Sequence, residues 1–90
     1  MAEQAPLSLT IIIPVYNEAN TVRAVVDKLL SVPLPVSLEI IVVDDGSTDG
    51  TDKALAAISH PKVKTLRHER NQGKGAAIRT GLAGATGDLI

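Results

Sequence analysis

Residues Ile40–Thr51 read Ile-Ile-Val-Val-Asp-Asp-Gly-Ser-Thr-Asp-Gly-Thr. Four β-branched residues lead straight into two carboxylates, Asp44 and Asp45. A buried strand that ends in acids is how an open α/β sheet presents side chains to a ligand. Adjacent carboxylates repel, so their pairing asks for a reason. They could accept from the N–H groups of a nucleobase, bind ribose hydroxyls or contribute to a metal site. Acids at this point also favour a following helix N-terminus, and Ser47 and Thr48 suit the turn on their own account.

Two other segments are polar in the same way. In Pro14-Val15-Tyr16-Asn17-Glu18, Tyr16 is the single aromatic residue of the chain. Its ring could stack on a base, and Glu18 could accept from a base or sugar, although Glu also suits a first helical turn. In Arg70-Asn71-Gln72-Gly73-Lys74-Gly75, backbone N–H groups, a helix dipole and Lys74 could receive an anion. The spacing is not that of a P-loop, and no Gly-x-Gly-x-x-Gly follows the first strand, which disfavours a dinucleotide site. The glycines would equally serve a tight turn. His60 and His68 are isolated and read as surface or loop residues. Asp49 and Asp52 read as capping groups, and Arg23, Asp27, Lys28 and Lys53 as solvated helix faces.

These segments need elements to hold them. Leu7–Val15 is a short aliphatic run with Ile11, Ile12 and Ile13, which predicts a buried strand. Val22, Val25, Val26, Leu29 and Leu30 form the stripe of an amphipathic helix over Thr21–Ser31, with Asn20 as N-cap and Pro33 and Pro35 beyond its end. Leu38–Val43 is a second strand. A second helix, capped by Asp49 or a neighbour, turns Ala54, Leu55 and Ile58 inward and breaks at His60-Pro61. Lys62–Leu66 is a third strand with Val63 and Leu66 as its core residues. A third helix carries Ala77, Ile78, Leu82 and Ala85 inward, and Asp88-Leu89-Ile90 begins a fourth strand. Such alternation implies βαβ units and a mostly parallel, Rossmann-like sheet. All three polar segments then fall on one edge, outside the carboxyl ends of the strands.

Composition excludes several classes. The net charge of -1 argues against a nucleic-acid or membrane-surface binder. The absence of cysteine removes disulfide and thiolate chemistry. No apolar run approaches the ~20 residues of a membrane span. Residues 1–6 lack the pattern of a signal peptide and read as a disordered lead-in, leaving 7–90 as one domain.

Ile13-Pro14-Val15-Tyr16-Asn17-Glu18, Val42-Val43-Asp44-Asp45-Gly46-Ser47-Thr48-Asp49 and Asn71-Gln72-Gly73-Lys74-Gly75-Ala76-Ala77, in this order, resemble the N-terminal half of a family 2 glycosyltransferase of GT-A fold. The flavour is that of the dolichyl- or polyprenyl-phosphate sugar synthases. The resemblance implies an inverting transfer of a hexose from a UDP- or GDP-sugar to a polyprenyl phosphate, in cell-wall or glycan biosynthesis. It implies that Pro14, Tyr16 and Glu18 line the base and ribose pocket. Asp44 and Asp45 would touch base and ribose, with Ser47, Gly73 and Lys74 near them. The family's Mg2+- or Mn2+-binding Asp-x-Asp motif would follow Ile90, so neither a metal ligand nor a catalytic residue is expected within these residues. The chain then reads as a truncated domain without transfer activity of its own, cytoplasmic, from an enzyme at the cytoplasmic face of a membrane. An open sheet edge beside the incomplete fourth strand invites a homodimer. The alternative is a non-catalytic α/β binding or structural module. A receiver domain fits poorly, because the acidic pair follows the second strand, and a nucleotidyltransferase would need a Gly-rich first loop.

Overall fold

The computed structural model describes residues 7–90, and the lead-in expected over residues 1–6 lies outside the described residues. The elements are β1 (Ser8–Val15), α1 (Val22–Ser31), β2 (Ser37–Asp44), α2 (Thr51–Ala56), β3 (Val63–Arg67) and α3 (Lys74–Gly84). The strands form one parallel sheet in the order β1-β2-β3. Beyond α3 the chain returns to the far edge of β1, where Leu89 pairs in parallel with Leu9. Its N–H donates to the Ser8 carbonyl and its own carbonyl accepts from Thr10 N–H. The fourth strand expected from Asp88-Leu89-Ile90 is thus present as a single bridge. It makes β1 the point from which the chain runs outward in both directions, the place where open α/β sheets hold ligands.

The period-2 alternation of β2 sorts the core into two layers. Ile40 and Val42 pack with Val15, Val22, Val26 and Leu55, under α1 and α2. Ile41 and Val43 pack with Ala77 under α3. All four β2 residues are fully buried, each contributing about 1.5–3 kcal/mol of transfer free energy. Val63 joins the first layer and Leu66 the second, both half-buried.

Three local expectations need correction. The α1 N-cap is Thr21, not Asn20, because the Glu18 carbonyl already accepts from Thr21 and Val22 N–H and closes the turn one residue later. Val25 is exposed although it falls on the apolar stripe. Ile78 and Leu82 are also exposed, whereas Ala77 and Gly81 face the sheet. The reason is close approach: a Cβ on Gly81 would stand 2.5 Å from a methyl of Ile12. Small residues therefore set the contact face of α3, and its larger apolar residues turn outward.

Candidate functional site

The loops after β1, β2 and β3 meet at one sheet edge and are bonded to one another. Asn17 N–H donates to Ser47 Oγ at 2.9 Å, and Asn17 Oδ1 accepts from Thr48 N–H at 2.8 Å. Glu18 N–H donates to Thr51 Oγ1 and Ala19 N–H to Asp49 Oδ2. Asp49 also accepts from the N–H of Thr51, the first residue of α2, whose N-cap is the left-handed Gly50. The Thr51 hydroxyl leads the contacts that lower the Asp49 pKa. Ser47, Thr48, Asp49 and Thr51 thus brace the first loop against the second. Asn17 is the one non-glycine among the described residues with positive φ, a conformation Asn tolerates.

The two adjacent acids go to opposite faces of the sheet. Asp44, 1 % exposed, turns toward α2. Its Oδ1 accepts from Ser47 N–H, and its Oδ2 has no hydrogen-bond partner and lies 3.6 Å from Arg67 Nε. Arg67 continues from there to the Ser47 carbonyl and to Asp52. Asp45, 3 % exposed, turns toward α3. Its Oδ1 accepts from His68 Nδ1 at 2.7 Å and from Gln72 N–H at 2.8 Å, and its Oδ2 from Gly73 N–H at 2.9 Å. These contacts, the imidazole foremost, lower the Asp45 pKa against the cost of burial. The mutual repulsion expected of adjacent carboxylates is relieved by this division, each acid having its own basic partner.

A cleft of about 450 Å³ opens above β1, lined by Pro14, Val15, Tyr16, Glu18, Asp45, Asn71, Gly73 and Lys74. Six of the eight residues singled out from sequence therefore surround one space, and Asp44 and Ser47 do not line it. Asp44 lines a smaller cleft beside Arg67 and α2, and Ser47 is buried between the loops. Tyr16 is 45 % exposed at the cleft, and the Glu18 carboxylate accepts from Thr21 Oγ1 at 2.7 Å. The Gly-rich loop differs from expectation in one respect. Its Gln72 and Gly73 N–H groups are already spent on Asp45. The N–H groups of Lys74, Gly75 and Ala76 precede the first helical bond, from Ala77 N–H to the Gly73 carbonyl, and remain as donors.

His68 is the largest departure. It is 8 % exposed rather than a surface residue, with Nε2 at 2.7 Å from Thr80 Oγ1. Arg67, which engages Asp44, is a second residue that no sequence motif singles out. The signal for both was their place at the end of β3, paired with the acidic end of β2. Among the described residues no group of three or more His, Cys, Asp or Glu side chains converges to hold a metal ion. The cleft holds two carboxylates, Asp45 and the Thr21-bonded Glu18, and no third such group joins them, so the described residues do not by themselves fit a cation.

A family model described as "Glycosyl transferase family 2" matches residues 10–90. The chain is 34% identical over 90 residues to a dolichyl-phosphate beta-glucosyltransferase of Trichomonas vaginalis, spanning 90% of this chain and 27% of that protein. It is 34% identical over 87 residues to an undecaprenyl-phosphate 4-deoxy-4-formamido-L-arabinose transferase of Aeromonas hydrophila, covering 91% of this chain and 27% of that one. Among solved structures it resembles a mannosyltransferase of Pyrobaculum calidifontis in complex with GDP-Man and Mn2+. The TM-score is 0.77 at 35% identity, over 94% of this chain and 26% of that one. The chain thus spans about a quarter of the length of the relatives it matches.

Proposed function

The chain belongs to glycosyl transferase family 2, and from that premise we propose that residues 7–90 form the nucleotide-sugar-binding part of an inverting enzyme. That enzyme transfers a hexose from a UDP- or GDP-sugar to a polyprenyl or dolichyl phosphate. The observation that carries this reading is the single cleft built by all three loops at the carboxyl edge of the sheet. Tyr16 offers a ring face for the base. Asp45 Oδ2 accepts one hydrogen bond and so retains acceptor capacity for a base or ribose N–H or O–H. Glu18 offers a second acceptor, and Lys74 with the free N–H groups of α3 offers a seat for phosphate. Asp44 and Ser47 serve from beneath, by holding the loops that carry these groups.

Mg2+ or Mn2+ would neutralise the departing diphosphate in such a reaction. The described residues do not hold it, so the chain by itself binds donor without completing transfer. The Mn2+ in the Pyrobaculum mannosyltransferase complex supports a divalent ion for the longer enzyme. No helix among the described residues is long and apolar enough to cross a membrane. A lipid-phosphate acceptor would bring the enzyme to a membrane, and a nucleotide-sugar donor favours its cytoplasmic face.

An amide NMR titration with UDP and with GDP, each with and without Mg2+ or Mn2+, tests the reading. Shifts confined to Tyr16, Glu18, Asp45, Gly73 and Lys74, with one nucleotide preferred, are the expected result. A dispersed spectrum that neither nucleotide perturbs would leave a non-catalytic α/β module.

A further inference from the structure

The ends of β2 and β3 carry two acids and two bases, matched face by face. Asp44 meets Arg67 on the α2 side, and Asp45 meets His68 on the α3 side. The His68 backbone is fixed first: its N–H donates to the Asp44 carbonyl at 2.9 Å, continuing the β2–β3 ladder past Arg67. From there the imidazole bridges the Asp45 carboxylate and Thr80 of α3, each at 2.7 Å. An ionised carboxylate only accepts, so Nδ1 is the protonated nitrogen. Nε2 meets a hydroxyl, which can donate to the neutral ring or accept from the charged one. Both contacts therefore survive a change in ring protonation.

His68 does not line the cleft, whereas Asp45, Asn71, Gly73 and Lys74 do. What it touches controls them. Asp45 Oδ1, shared between His68 and Gln72 N–H, and Oδ2, bound to Gly73 N–H, hold the Gly-rich loop from two sides. Asn71 Nδ2 adds a bond to the Asp45 carbonyl.

We propose that His68 is a positioning residue for this cleft. It holds the Asp45 carboxylate, and through it the Asn71–Lys74 loop, in the arrangement that an incoming nucleotide meets. Its bond to Thr80 ties that arrangement to the seating of α3 on the sheet. The proposal rests on the nucleotide-binding reading only for the identity of the ligand.

The test compares the full chain with His68→Ala, His68→Asn and Thr80→Val by amide hydrogen exchange and by titration with UDP and GDP. Asn keeps a donor near the place of Nδ1 but does not reach Thr80. In His68→Ala the Gln72 and Gly73 amides are expected to exchange about tenfold faster while those of Ile40–Val43 keep their protection. Nucleotide affinity should fall about tenfold, the order of one lost charge-assisted hydrogen bond. His68→Asn should restore most of both, a rescue that simple cavity filling would not give. A folded His68→Ala chain with unchanged Gln72 and Gly73 exchange overturns the proposal. If that variant does not fold, Thr80→Val decides: faster exchange at Gln72 and Gly73 supports the coupling, and unchanged exchange overturns it. Should the unsubstituted chain bind neither nucleotide, the nucleotide-binding reading fails, and exchange at Gln72 and Gly73 still decides the positioning role.

Discussion

Asp44 and Asp45 are neighbours in the chain and strangers in space. A strand sends successive side chains to opposite faces, so a pair that looks like one chelating unit in sequence serves two different structures. The sequence marks both as important and cannot say which reaches the cleft, because that depends on which face α3 covers. Gly46, just after them, has φ of 74°. A Cβ there would lie 2.4 Å from the Arg70 carbonyl carbon and 2.5 Å from Asn71 N. Both atoms are backbone, so no side chain can step aside. Gly46→Ala is expected to cost about 2–4 kcal/mol, combining left-handed strain with overpacking, and denaturant unfolding measures it directly. His68 shows the limit of reading in the other direction. Its partners lie 23 residues before it and 12 after, separations that no local pattern encodes.

The elements were legible wherever one face dominates. The run Ile40–Val43 and the stripe at Val22 and Val26 announce themselves through period and apolarity. The facing of α3 was not legible, since Gly81 carries no hydrophobic signal and yet makes the closest approach to the sheet. Nor was Glu39, on β2 at the end remote from the cleft. It accepts from Thr10 Oγ1 on β1, from Thr86 N–H and Oγ1 after α3, and pairs with Lys64 on β3. One carboxylate thereby ties all three strands to the return of the chain. The Thr86 N–H, followed by Thr10, lowers its pKa from 4.5 to about 2. A carboxylate whose folded pKa is depressed stabilises the fold above its unfolded pKa and loses that contribution as pH falls. Chemical unfolding should show stability declining between about pH 4.5 and pH 2. Glu39→Gln should flatten part of that decline and cost about 1–2 kcal/mol at neutral pH.

At the scale of the whole molecule, alternation of strand and helix foretold a parallel sheet, and the same reasoning placed three loops on one edge. The sheet has two edges, and they differ. β3 leaves the outer side of Val63–Arg67 unpaired among the described residues, whereas β1 is met on its outer side by one backbone bridge, Leu9 with Leu89. Unpaired edges template the pairing of another chain. Self-association through a sheet edge is therefore expected, as a rise in mass with concentration in light scattering. A monomeric mass throughout the range would count against it.

The outer side of β1 is closed by residues that lie 80 positions downstream, through Ser8 with Asp88 and Leu9 with Leu89. A ribosome adding about 5–20 residues per second takes roughly 4–16 s to deliver that partner. During this interval the strand bearing Ile11, Ile12 and Ile13 can pair with β2 and still carry a naked rim. For a nascent chain, that rim makes the order of synthesis a hazard that lasts until α3 has been made and the chain has returned to β1.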